Sequence, residues 1–302
     1  MVEEIGTVIR KGFGTWTRNL NICLPFILEV VTAMLFFVLA MLIFTALFIV
    51  PIVSQQNIDP ANITPDQMLG IFISVFSESM WLIIIVGLIL LLLYMLFQSF
   101  FAAGAIRMAS EASEKGNTGL GDMFRGGKEN FINLFLTNIL VLLLAVAGLV
   151  FLVPGIISIG DLDLFLSNPQ SSVAGASLLI AGLLLWVLYI FALSIIFLLV
   201  DYALVIDRLD PITAIEKGIN VFRQNMFPVF IMWVLVIGIS FMLRLLGEAT
   251  SYLDMIAQLW SFAEFILNII VIQPLITVWL TRFYLNREDR KLYSFDDYML
   301  DY

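Results

Sequence analysis

The chain has 302 residues, 61% hydrophobic and 13% charged, with a formal net charge of −9, whereas soluble domains are about a quarter charged. It contains no His and one cysteine, Cys23. That removes the commonest general base and transition-metal ligand and excludes an internal disulfide or a cysteine metal cluster. The acids are scattered through loops and tail, so the negative charge reads as solubility of the exposed parts, and no nucleic-acid partner is expected.

Six continuous apolar runs, at 21–52, 79–106, 131–157, 173–205, 226–247 and 256–285, each hold the about 20 residues that a membrane-crossing helix needs. A β-barrel would show short alternating segments instead. The fold class is therefore all-α: a polytopic membrane protein of six transmembrane helices. The N-terminus, MVEEIGTVIRKGF, begins with acids, unlike a signal peptide, so no cleavage is expected.

Ahead of the first run, residues 5–20 place Ile5, Ile9, Phe13, Trp16 and Leu20 near one helical face and Thr7, Arg10, Lys11 and Arg18 away from it. Residues 120–131 repeat the pattern more weakly. At 210–225, DPITAIEKGINVFRQN, Asp210 caps a helix that Pro211 starts. Ile212, Ile215, Ile219 and Phe222 form its apolar face. Aligning the three stretches superposes Gly12, Gly127 and Gly218, with Ile9, Phe124 and Ile215 three residues before and Trp16, Phe131 and Phe222 four residues after. The expectation is a single domain over 1–302 made of pseudo-repeats at about 1–116, 117–209 and 210–302. Each comprises an amphipathic interfacial helix followed by a transmembrane hairpin, giving three hairpins in all.

With the surface helices and C-terminus on one side, only Arg244 of the fifteen Lys and Arg residues falls on the other. The positive-inside rule then predicts a cell-membrane protein with both termini cytoplasmic. The outer segments are Gln55 to Gln67, Ser158 to Ser172 with Asp161 and Asp163, and Gly247 to Gln258. The first contains the sequon Asn62-Ile63-Thr64. Trp81, Trp260 and Trp279 are expected at the interfaces.

Ionisable groups at membrane depth are the default functional candidates. Glu29 lies in the first span; Glu264 shares a face of the sixth with Ser261 and Asn268. Gln98, Asn138 and Gln273 add hydrogen-bonding groups, and Pro274 predicts a kink that frees the Ile270 carbonyl. Two readings stand: Glu29 and Glu264 line a hydrated or ion path, or they glue helices together. Arg244 reads as an interfacial partner of Glu248 or Glu264, or as a contact for an anion or lipid headgroup. Asp201, Asp207, Arg208 and Asp210 read as solvated helix-end charges in preference to a divalent-cation site, and the tail from Asn286 as a solvated end in preference to an extra amphipathic helix or a partner-binding tail.

The stretches PGIISIG at 154–160 and VDYALVIDRLDPITAIEKGINVFRQNMFPVF at 200–230 resemble the membrane domain that some bacteria fuse to glycerophosphodiester phosphodiesterase. They also resemble uncharacterised six-span archaeal and bacterial families. Pro211, Ala214 and Asn225 match that pattern, while Gly218 stands where it often has Ser. The phosphodiesterase domain is absent, so the resemblance implies the membrane fold and no catalysis. No phosphate-binding loop, GxSxG or HExxH is present. The expected function is a non-enzymatic scaffold or accessory subunit without cofactor or metal. It would engage membrane lipids and a homo-oligomeric or membrane-protein partner. The alternative is a transporter or channel past the intramembrane carboxylates.

Overall fold

The computed structural model describes residues 3–56, 64–160, 172–250 and 254–293. Asn62 and Ile63 of the sequon, Asp161, Asp163 and the tail beyond 293 lie outside the described residues. Within them the chain is helical and contains no strand. Six helical stretches are long and apolar enough to cross a membrane: Leu20–Gln55, Pro65–Lys115, Leu120–Ile159, Val173–Asp207, Met226–Thr250 and Met255–Arg287.

Helix α1 (Ile5–Arg18) leads through a 3-10 turn (Leu20–Cys23) into α2 (Leu24–Phe44), a π-helical turn (Thr45–Ile49) and α3 (Val50–Gln55). Helix α4 then runs unbroken from Pro65 to Lys115. Its start lies inside the stretch read as an outer loop, because Thr64 and Gln67 cap each other. The Thr64 hydroxyl accepts from the Gln67 amide, and the Gln67 side chain accepts from the Thr64 amide. Helix α5 (Leu120–Ala147) passes through a 3-10 turn (Gly148–Leu152) into α6 (Val153–Ile159). The remaining helices are α7 (Val173–Ile196), α8 (Val200–Asp207), α9 (Pro211–Gln224), α10 (Met226–Thr250), α11 (Asp254–Leu267) and α12 (Gln273–Arg287). A π-helical turn, Asn268–Ile272, joins the last two. It precedes Pro274 and takes the place of a simple kink. Helix occupies most of the expected link from Gly247 to Gln258.

The three stretches aligned in the sequence differ in one respect. Asn19 and Asn225, each seven residues beyond its glycine, leave helical geometry with φ −126° and −131°. Each turns its side-chain amide onto the carbonyl four residues back, Thr15 at 3.0 Å and Val221 at 3.1 Å. At Asn19 that bond replaces the backbone donor, which goes to the Trp16 carbonyl; at Asn225 it adds to a backbone N–H that still reaches Val221, and both helices stop there. The corresponding residue of the middle stretch is buried Leu134, which has nothing to offer a carbonyl. There the helix continues into the apolar run, so 120–131 is not a separate helix.

The glycines are contact points. A Cβ on Gly12 would lie 2.5 Å from the Trp279 ring of α12, one on Gly127 2.7 Å from the Phe100 ring of α4, and one on Gly218 2.5 Å from Val200 of α8. Trp279 also donates its indole N–H to the Ile9 carbonyl at 3.0 Å. It is buried rather than set in an interfacial belt. These contacts lie at one end of the bundle, here called basal. The principal core is built there from α1, the C-terminal half of α4, the start of α5, α8, α9 and α12. A small satellite of Phe48, Ile52, Ile71 and Val75 joins α3 to the start of α4 at the distal end.

Charges stitch the basal core. Arg282, 1% exposed, donates through Nε and Nη2 to the two oxygens of Glu3 at 3.0 and 2.9 Å. Lys11 adds a third bond to Glu3 at 3.0 Å. The Glu3 amide donates to the Asn286 side chain. Asp207 accepts from the Tyr284 hydroxyl and pairs with Arg290, which also faces Glu114; Lys217 pairs with Glu288, Arg208 with Glu129, and Arg107 and Lys115 with Glu111. Asp207 and Arg208 are thus engaged ion-pair partners, not merely solvated helix ends. Asp210 caps α9 through the Ile212 and Thr213 amides. Among the described residues no cluster of three acids could hold a metal ion.

Above this core the spans are loosely joined. At most 17% of the most apolar stretch of any span is buried. Where α6 meets α7 the contact is close: a Cβ on Gly182 would lie 2.2 Å from the Phe151 carbonyl oxygen, and one on Gly155 2.6 Å from the Leu179 backbone.

Two predictions follow from this packing. Gly182→Leu should lower stability by about 1–3 kcal/mol or more, because backbone rather than a movable side chain obstructs it, read as a drop in Tm in detergent. Burial tends to raise the Glu3 carboxyl, but the bonds from Arg282 and Lys11 outweigh it and hold the group below its ordinary value of 4.5. Its contribution is therefore present above the unfolded value and is lost as pH falls through the lower folded one. Glu3→Gln should cost about 3–5 kcal/mol at neutral pH by stranding buried Arg282. It should also flatten the acid limb of the Tm profile.

Candidate functional site

The intramembrane polar residues fall into separate groups. On α2, Glu29 is hydrogen-bonded by the Gln98 side chain of α4 and lies near Tyr94, one turn away on the same helix. Pro25 and Phe26 are buried in the turn just before Glu29, and Phe26 packs with Ala105 and Ile269. A cleft of about 720 Å³ opens beside them between α2, α4 and α11, lined by Val30, Ala33, Phe37, Ala40, Tyr94 and Phe265 among others. Its walls are almost wholly apolar. Phe97, Phe100, Phe101 and Phe131 line a second cleft of about 360 Å³ between α2, α4 and α5.

Between α4 and α5 the polar side chains are consumed locally. Ser99 bonds the Met95 carbonyl at 2.8 Å and receives a long bond, 3.5 Å, from Asn138. Thr137 bonds the Asn133 carbonyl, and Asn130 bonds that of Gly126. Asn133 reaches the Leu209 carbonyl at 3.3 Å, tying α5 to the segment before α9. Such bonds satisfy buried groups and fix helix contacts.

Glu264 sits elsewhere. It lines a cleft of about 520 Å³ between α10 and α11 with Ile237, Ser240, Phe241 and Arg244. The face that Glu264 shares with Ser261 and Asn268 is not buried throughout: Ser261 and Asn268 are exposed, and the Ser261 hydroxyl bonds the Ala257 carbonyl at 2.9 Å. Gln273 is exposed as well, its carbonyl accepting from Thr277. Glu29 and Glu264 therefore occupy two settings with different neighbours, not one shared cavity.

On the basal helices, the buried ridge is Val8, Gly12 and Trp16 on α1 and Ala214, Gly218 and Val221 on α9. Trp16, from the predicted face of α1, belongs to this ridge, and the other large residues of the predicted faces flank it. Ile9, Ile215 and Phe222 are partly buried against the core, Phe131 is partly covered, and Phe124 is exposed. Helical periodicity weights large side chains, whereas close approach to another helix selects small ones, so the predicted face is rotated from the packed one. Tyr94, Ser240 and Trp260 were not singled out as site residues in the sequence, because nothing there marks which polar group of an apolar run faces a cleft.

A domain of unknown function, DUF7847, matches residues 4–285. A relative from Archaeoglobus fulgidus, described as an uncharacterized protein, is 26% identical over 311 residues, covering 98% of this chain and 99% of its own length. No solved structure matches. The family match covers nearly all the described helices, and the chain belongs to the DUF7847 family.

Proposed function

We propose that this protein is a non-catalytic integral membrane protein that engages lipid, serving the bilayer or an envelope or transport system as a scaffold or accessory subunit. The observation that carries the reading is the contrast between a basal end closed by packing and ion pairs and spans that leave apolar clefts between them. Inside a bilayer, the cleft beside Ala33 and Tyr94 is a space for acyl chains. The protein offers it few polar contacts.

The threefold organisation, 1–116, 117–209 and 210–302, belongs to this proposal, as do three hairpins with amphipathic interfacial helices. Gly12, Gly127 and Gly218 each seat on a residue contributed by another unit, Trp279, Phe100 and Val200 in turn. This supports a ring in which the last unit meets the first. The resemblance to the membrane domain fused to glycerophosphodiester phosphodiesterase supports the fold side of the reading. With α1 and the end of α12 both at the basal end, where Lys and Arg collect, the expected orientation is termini-cytoplasmic in the cell membrane. A conduction path past the carboxylates draws less support, since Glu264 lines the α10–α11 cleft while Glu29 sits apart from it beside Gln98.

Native mass spectrometry of protein released gently from its own membrane tests this. Phospholipid should persist through a delipidating detergent wash, and Ala33→Trp, which fills the cleft, should lose part of it. Glu29→Gln should leave both fold and total bound lipid unchanged. Lipid stripped from the wild type as readily as from Ala33→Trp would refute the reading. Proteoliposome flux abolished by Glu29→Gln would replace it with transport.

A further inference from the structure

We infer that the cleft between the distal ends of α10 and α11 binds the headgroup of a zwitterionic amino-phospholipid, an inference that rests on the lipid-engaging function proposed above. Three polar groups line it and a fourth borders it. Arg244 and Glu264 line the cleft together with Ser240. Trp260 brings a buried indole N–H that has no hydrogen-bond partner among the described residues. Gly247 explains how they come together: the position its Cβ would occupy is 3.3 Å from Trp260 Nε1 and 3.5 Å from Glu264 Oε2. Lacking that carbon, the helix leaves a donor and a carboxylate oxygen beside one point.

Arg244 differs from the arginines that stitch the basal core. Arg107, Arg208, Arg282 and Arg290 each have a carboxylate partner, whereas Arg244 makes no ion pair within 4.0 Å among the described residues. Although Glu264 shares its cleft, the two do not close on each other, which leaves room for a ligand between opposite charges.

The chemistry selects the ligand class. A guanidinium and an indole N–H both donate, and both suit the oxygens of a phosphodiester. A carboxylate beside them opposes a purely anionic headgroup but accepts from a primary ammonium. The cleft's two formal charges cancel, so a net-neutral ligand carrying both signs leaves no charge unpaired at membrane depth. A quaternary ammonium has no N–H for Glu264, which favours ethanolamine over choline. The flanking Phe241, Met242 and Leu245 of α10 and Leu259 and Phe262 of α11 are exposed along the spans. The cleft therefore opens toward acyl chains, and a lipid rather than a water-borne solute is the occupant.

The test is native mass spectrometry of the full chain equilibrated in nanodiscs holding equal amounts of phosphatidylethanolamine, phosphatidylcholine and phosphatidylglycerol. The wild type should retain phosphatidylethanolamine preferentially. Arg244→Gln should weaken retention roughly tenfold, the loss of one charge-assisted hydrogen bond. Glu264→Gln, nearly isosteric, should shift the preference to phosphatidylglycerol, and Trp260→Phe should lower retention without changing the order. Glycerophosphoethanolamine, lacking acyl chains, should not compete. The inference is overturned if the wild type holds the three lipids equally, if Glu264→Gln keeps the wild-type order, or if the acyl-free headgroup displaces the lipid. Indifference to headgroup while Ala33→Trp still loses lipid would sink this site alone. Failure to retain any lipid would sink the broader reading too.

Discussion

Arg282 brings a guanidinium into the protein interior, where it is almost completely buried. A cation in that position must be compensated, and its compensation comes from Glu3, almost the whole chain away in sequence. The beginning of the protein is thereby bound to its last helix. Gly12 against Trp279, and the Trp279 indole on the Ile9 carbonyl, extend the same junction with packing and a neutral hydrogen bond. Charge compensation of one side chain thus fixes how the segment at Glu3 and α1 sits against α12, and the basal core forms around that junction.

Because the basal end carries so much of the cohesion, the spans need less of their own. Water would not tolerate their exposed Leu, Ile and Phe side chains, but in lipid there is little hydrophobic gain in burying them against each other. Helix contact along the spans depends instead on small residues. Gly155 and Gly182 allow α6 and α7 backbones to touch, with Trp186 and Tyr189 donating to the Ala145 and Leu144 carbonyls at 3.0 and 2.9 Å. Small residues alone do not close a contact: between α2 and α4, Ala33 and Ala40 line a cleft walled by larger side chains such as Phe37 and Tyr94.

The number of long apolar helices was legible because each run is continuous and at least as long as a span requires. The start of α9 was legible too, since Asp210-Pro211 is a local signal that needs no tertiary partner. The start of α4 was missed: Thr64 and Gln67 form a reciprocal cap, but they sit in a stretch whose polarity resembles a loop. The basal ion pairs were illegible for a different reason. Glu3, Arg282, Asp207 and Arg290 are separated by long sequence distances, and charge at a helix end looks the same whether water or another helix faces it. Of the candidate polar residues, Glu29 with Gln98 and Asn138 with Ser99 do meet across helices. Which of them would meet could not be deduced from periodicity, as the spans are apolar on every face.

Helix α4 spans 51 residues without interruption. At about 1.5 Å per residue it is roughly 76 Å long, well over twice the about 30 Å hydrocarbon thickness. It touches α3 at one end and reaches the Glu111 and Gly116 contacts at the other. A single rod anchored on both faces of a bilayer behaves as a lever whose fulcrum is the membrane itself. A push on its distal arm therefore arrives at the ring of ion pairs as a tilt, with no hinge along the way to absorb it.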